Sequence, residues 1–168
     1  MTRIIGIDPG LANTGYGIIE TEGSTYRCNG HGVIRTNKDL PSGERLLIIG
    51  RELEEIIRRH HPDQAGIEDI FFAKNAATAI PVAQAKGVIL MTLARHGIPA
   101  GEYPPQAIKQ AIVGRGRADK GQIQELVKIL LGLDTIPKPD HAADALAVAI
   151  CRANSIGFSQ VLAKSGHV

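Results

Sequence analysis

The sequence predicts an α/β fold, one mixed five-stranded sheet flanked by helices. Three observations carry this. The first third holds three short apolar runs separated by turn-forming residues, which reads as an antiparallel meander. After it, helical periodicity alternates with short extended runs, the pattern of parallel additions to a sheet. The 168 residues contain no repeat, low-complexity tract or long linker, so one core is expected.

The elements follow in order. Arg3-Ile-Ile-Gly-Ile-Asp8 is an apolar run ending in a carboxylate, and Pro9-Gly10 and Asn13 turn the chain. Thr14 to Glu20 resumes an extended pattern, Glu22-Gly23-Ser24 turns again, and about 25–36 makes a third strand. Leu46, Ile49, Leu53 and Ile56 recur at helical spacing, with charged residues between them. Residues 65–68 form a short strand, again ending in an acid. Residues 75–96 read as an alanine-rich helix that Pro81 should kink or begin. A strand at 98–103, a short helix at 104–112 and a helix around Ile123, Leu126, Val127 and Leu130 follow. The last helix spans about 140–154. The expected organisation is one domain over 1–155 and a weakly ordered tail over 156–168.

Composition excludes several classes. Two cysteines, Cys28 and Cys151, cannot build a disulfide scaffold or a cysteine-rich zinc module. No apolar run approaches the roughly 18 residues of a membrane span, and the N-terminus lacks a signal-peptide core, so a cytoplasmic protein without membrane contact is expected. A net charge of +2 leaves nucleic-acid binding to local patches. There is no phosphate-binding loop, dinucleotide fingerprint or nucleophile elbow.

Acids at element ends stand out. Asp8 ends the first strand and Glu68 the fourth, while His141 and Asp144 lie three apart on one helix face that Ala145 and Val148 continue. Each has an ordinary reading alone: a turn residue before Pro-Gly, an exposed loop acid beside Asp69, a solvated first helical turn. Converging, they need a partner, because an unpaired buried carboxylate is expensive. Oxygen-rich ligation suits Mg²⁺ or Mn²⁺, and such a site serves phosphoryl transfer.

The chain resembles the RuvC family of Holliday-junction endonucleases, of the ribonuclease H-like fold class. The matching stretches are Gly6-Ile-Asp-Pro-Gly10 with Thr14-Gly-Tyr-Gly17, Ile67-Glu-Asp-Ile-Phe-Phe-Ala-Lys-Asn75, Gln84-Ala-Lys-Gly87, Lys109-Gln-Ala-Ile-Val-Gly114 and Asp140-His-Ala-Ala-Asp-Ala-Leu-Ala147. They are ordered and cover about residues 4 to 153. The resemblance implies four metal-binding catalytic positions, matched by Asp8, Glu68, His141 and Asp144, holding two ions. The fourth family position is commonly Asp and here is His141, which favours a tilt toward Mn²⁺ over Mg²⁺. Asp140 lies about 100° further round the helix and ranks second.

The expected DNA surface is the basic patch at 109–120, with Lys109, Arg115, Arg117 and Lys120 against Asp119. On sequence alone it equals a solvated loop; the resemblance places Lys109 and Lys120 near the scissile phosphate, a contact that positions without reading bases. Phe71 matches a family aromatic that stacks on junction bases, an interaction of about 1–3 kcal/mol per base. Phe72 reads as core, and Lys74 and Asn75 could touch phosphates.

The resemblance thus implies a metal-dependent endonuclease that nicks four-way junction DNA symmetrically, leaving 5′-phosphate ends, alongside a branch-migration motor in recombination and repair. A two-fold substrate suits a homodimer, with 75–96 as the candidate interface. The alternatives are a ribonuclease H-like nuclease acting on RNA or other branched nucleic acid, an actin-like kinase, which the length opposes, and a junction-binding module without cleavage.

Overall fold

A computed structural model describes residues 1–69, 76–114 and 118–164, with backbone alone at 76–78 and 159–164. The meander is β1 (Thr2–Asp8), β2 (Asn13–Glu22) and β3 (Thr25–Arg35). Then come α1 (Ser42–His60), β4 (Gln64–Glu68), α2 (Ala76–Arg95), β5 (Ala100–Tyr103), α3 (Pro105–Val113), α4 (Lys120–Leu130) and α5 (Asp140–Lys164). The sheet order is β3-β2-β1-β4-β5. β1 pairs antiparallel with β2 and parallel with β4, and β5 adds parallel to β4. The mixed five-stranded sheet is as expected.

The strand period of two sorts the side chains onto two faces. The back face packs Ile5, Ile7, Ile18 and Ile67 against Ile49, Leu53 and Ile57 of α1 and Ile89 and Leu93 of α2. The front face carries Ile4 and Ile19 and receives α5, on which α3 and α4 lie. Ile4, Ile19, Leu146 and Ile150 are at most 1% exposed, and each contributes about 1.5–3 kcal/mol by burial. From Ala142 to Cys151 α5 is buried except at Asp144, so its sequence is apolar nearly all round.

Glycines set how close α5 comes. Gly6 pairs with Gly17 across one edge and Gly66 across the other. A Cβ at Gly6 would lie 2.0 Å from the Ala145 carbonyl oxygen, and one at Gly15 would lie 2.0 Å from that of His141. A Cβ at Gly17 would strike Leu146 at 2.7 Å. The helix backbone rests directly on the strand backbones.

Two expectations need correction. The sequence reading ends the last helix near 154 and places a tail after 155, but α5 runs on to Lys164. Gly157 weakens a helix without stopping it, and Ile156 packs against the front core. The expected division at 155 thus falls inside one helix. Pro81 does not begin α2: it lies inside the helix, which starts at Ala76, the position left to it by the other expectation, a kink.

Candidate active site and nucleic-acid interface

Parity builds the site. Ile4, Gly6 and Asp8 alternate onto the front face of β1, as Gly66 and Glu68 do on β4, and β1 and β4 are parallel neighbours in register. Asp8 and Glu68 therefore emerge side by side at the same end of the sheet. Thr14, 1% exposed, donates its hydroxyl to the Gly10 carbonyl at 2.7 Å and fixes the turn after Asp8. On α5, His141 stands one turn before Ala145 and Asp144 immediately precedes it, and Ala145 sits on Gly6. The glycine seat thus lowers their side chains to the strand ends.

His141 Nδ1 lies 2.7 Å from Asp8 Oδ2. Asp8, His141 and Asp144 place ligand atoms within 4.8 Å of one another, an arrangement suited to a metal ion. Glu68 lies beside Asp8, close enough for the two charges to act on each other, but is not one of the three clustered ligand groups. Burial first, then the Asp8 charge, raises the Glu68 pKa to about 8, with Lys109 opposing the shift. Burial also raises Asp8, while the His141 ring pulls it down. These carboxylates are poorly compensated by the protein alone, which is how a cation site behaves before its ion binds. Two carboxylates, an imidazole and a further carboxyl group fit a divalent ion.

Cations rim the acids. The Asp119 side chain accepts the Gln122 N–H at 2.9 Å and the Gln122 side chain accepts the Asp119 N–H at 3.0 Å, a reciprocal cap that fixes the start of α4. Lys120, the first residue of α4, reaches Asp144 at 3.3 Å and Asp140 at 3.1 Å. Asp140 thus faces Lys120 and is not one of the three clustered ligand groups. Lys109 sits on α3, close enough for its charge to act on Glu68. Phe71, Lys74, Arg115 and Arg117, with Phe72 and Asn75, lie outside the described residues.

Sequence reasoning missed one cluster. Lys86 of α2 pairs with Asp69 at 2.5 Å and with Glu102. The available signal was a lysine in register with Ile89 and Leu93, on an otherwise apolar helix face. Among the described residues, no helix is long and apolar enough to cross a membrane.

The family profile described as crossover junction endodeoxyribonuclease RuvC matches residues 4–152. A relative of that description from Treponema denticola is 52% identical over 151 residues, covering 90% of this chain and 85% of its own. One from Alkaliphilus oremlandii is 49% identical over 158 residues, covering 94% and 96%. Among solved structures, Thermus thermophilus RuvC in complex with a Holliday junction substrate superposes with a TM-score of 0.91 at 32% identity, covering 95% of this chain and 97% of that one. The profile match spans nearly the whole sheet, α1 to α4 and the first half of α5, including both acid-bearing strand ends, so the chain belongs to the RuvC family of crossover junction endodeoxyribonucleases.

Proposed function

We propose that this chain is a metal-dependent endonuclease that resolves four-way DNA junctions by paired symmetric nicks. The observation that carries the reading is the convergence of Asp8, His141 and Asp144 within 4.8 Å, with the Glu68 charge beside Asp8. The similarity to a Thermus protein bound to a Holliday junction supports the substrate class.

Asp8, Glu68, His141 and Asp144 would hold Mg²⁺ or Mn²⁺, two ions per site, with His141 tilting preference toward Mn²⁺. When bound, the metal supplies activation of water and stabilisation of the leaving 3′-oxygen, giving 5′-phosphate ends. The residues do the rest. Asp8 and Glu68 hold their oxygens on one strand-end plane. His141 braces Asp8 through Nδ1. Lys120 neutralises Asp144 in the free protein and is placed to meet a phosphate when that carboxylate turns to a cation. Lys109 adds positive charge beside Glu68. Phe71, Lys74, Arg115 and Arg117 complete the proposed DNA contacts, with Phe71 stacking on a base. A homodimer using residues 75–96 would present two sites to the two-fold junction. Cooperation with a branch-migration motor in the cytoplasm completes the proposal.

The test is cleavage of a synthetic four-way junction beside linear duplex DNA and an RNA–DNA hybrid, with and without Mg²⁺ or Mn²⁺. Selective, metal-dependent cutting of the junction is expected. Preferential cutting of the hybrid would replace the reading with a ribonuclease activity. Equal cleavage at equal low Mg²⁺ and Mn²⁺ would remove the tilt assigned to His141.

A further inference from the structure

Directly behind Glu68, on the opposite face of the sheet, a largely buried lysine meets two half-exposed carboxylates. The Lys86 side chain is 11% exposed. It pairs with Asp69 at 2.5 Å and with Glu102 Oε2. The strand register explains the meeting. Ile67 faces Glu102 and Glu68 faces Tyr103, so Glu68 points forward while Asp69 and Glu102 point back. The Asp69 N–H donates to the Tyr103 carbonyl at 2.7 Å and extends the β4–β5 ladder past Glu68. Lys86 thus binds one residue from each strand just where the pairing ends. Its own backbone is held, because Ala85, Ile89 and Leu93 of α2 lie at most 1% exposed in the back core.

The chemistry is costly for a purely structural contact. Burying the ammonium forfeits hydration that an aliphatic side chain at 86 would never lose, while Asp69 and Glu102 stay half exposed. What the ions supply is direction. The lysine joins acids from the ends of two adjacent strands, one of which carries Glu68.

We propose that Lys86 is a positioning residue for the metal site: by clamping Asp69 and Glu102 from behind, it holds the end of β4 so that Glu68 faces Asp8 and α5. The inference rests on Glu68 being a metal-binding group. It places a determinant of metal affinity on α2, across the sheet from the ligands.

The test compares Lys86→Met, which keeps the aliphatic stem, with Lys86→Arg, which keeps the charge and the donors. Mn²⁺ affinity of the free protein is measured by calorimetry, and single-turnover junction cleavage is measured at saturating DNA. Lys86→Met is expected to weaken Mn²⁺ binding about tenfold and slow cleavage about tenfold, the size typical of groups that orient metal ligands. Junction affinity in Ca²⁺ stays unchanged, and Lys86→Arg recovers most of both losses. If Lys86→Met folds poorly, Glu102→Gln loosens only the β5 arm and gives a smaller loss of Mn²⁺ affinity in the same direction. Unchanged Mn²⁺ affinity in the folded variant, or a loss that Lys86→Arg does not recover, overturns the proposal. A parent protein that binds Mn²⁺ but leaves junctions intact defeats the nuclease reading instead, and the Mn²⁺ comparison still decides Lys86.

Discussion

Under α5 the sheet is paved with glycine, at Gly6, Gly15, Gly17 and Gly66; under α1 and α2 it is filled by Ile5, Ile7, Ile18 and Ile67. The back face follows the usual logic of a half-buried sheet, with branched side chains interdigitating against helices. The front gives up side-chain volume so that a helix backbone can rest on strand backbones. That loss is local and has a use. It lowers His141 and Asp144 onto the plane where Asp8 and Glu68 end, which side chains of ordinary size would prevent. The same contrast separates the charged groups: the clustered acids lie in front, and Lys86 with its two acid partners lies behind.

The largest effect expected from breaking this contrast is at the acids themselves. Asp8→Asn keeps shape and removes the central charge of the cluster. Cleavage should fall at least about a thousandfold, since metal-assisted charge stabilisation is worth several kcal/mol. Junction binding, measured by gel shift in Ca²⁺, should persist. Surviving cleavage would show that Asp8 is no ligand.

Next come the two faces. Gly6→Ala drives a methyl to 2.0 Å from the Ala145 carbonyl oxygen and 2.5 Å from the Ala149 nitrogen, both backbone atoms that cannot rotate away. It should cost about 3 kcal/mol, the upper range for overpacking, and weaken Mn²⁺ binding because α5 must lift. Ile7→Val on the back face removes one methylene from a fully buried residue and should cost about 1 kcal/mol with Mn²⁺ affinity intact. Denaturant melts with parallel calorimetry check both. Equal effects of the two variants on metal affinity would mean that the seat under α5 does not place the ligands.

How much of this was legible beforehand follows from what leaves a periodic trace. Asp8 and Glu68 could be found because each ends an apolar run, and His141 with Asp144 because three residues is nearly one helical turn. The sheet followed from turn chemistry and alternation. The glycine seat was not legible: in one dimension a strand glycine reads as a weakness or a bulge, and only the register shows Gly6, Gly17 and Gly66 abreast. The Lys86 cluster joins residues 17 and 16 positions from Lys86, on three elements, and no local pattern encodes that. The run of α5 past 154 left no clear apolar period in the sequence, and the contact of Ile156 with the front core shows only in three dimensions.

The smallest effect separates the faces by pH. Metal-free, Glu68 carries a pKa raised from 4.5 to about 8, chiefly by burial and then by the Asp8 charge. The folded state holds that proton more tightly than the unfolded chain, so this stability is present below pH 4.5 and lost as pH climbs toward 8. Asp8 is raised as well and acts in the same direction. Glu20 and Asp140 are lowered below the usual carboxylate range, so their contributions change only under more acid conditions. His60, lowered below 6.5 by burial, adds stability as pH rises through that region and opposes the trend. The comparison that isolates the site is parent against Glu68→Gln. Between pH 5 and 8 the metal-free parent should lose on the order of 2 °C in Tm relative to the variant, after allowance for solvent screening. Saturating Mn²⁺ should reverse the sign for the parent, because ligands bind metal only when deprotonated and the ion stabilises most at pH 8. Lys86→Met should lie between parent and Glu68→Gln, since a Glu68 no longer held toward Asp8 is less buried and titrates closer to 4.5. A pH profile for Lys86→Met identical to the parent's would separate the back face from the front, leaving Lys86 and its acids as an ordinary ion pair network.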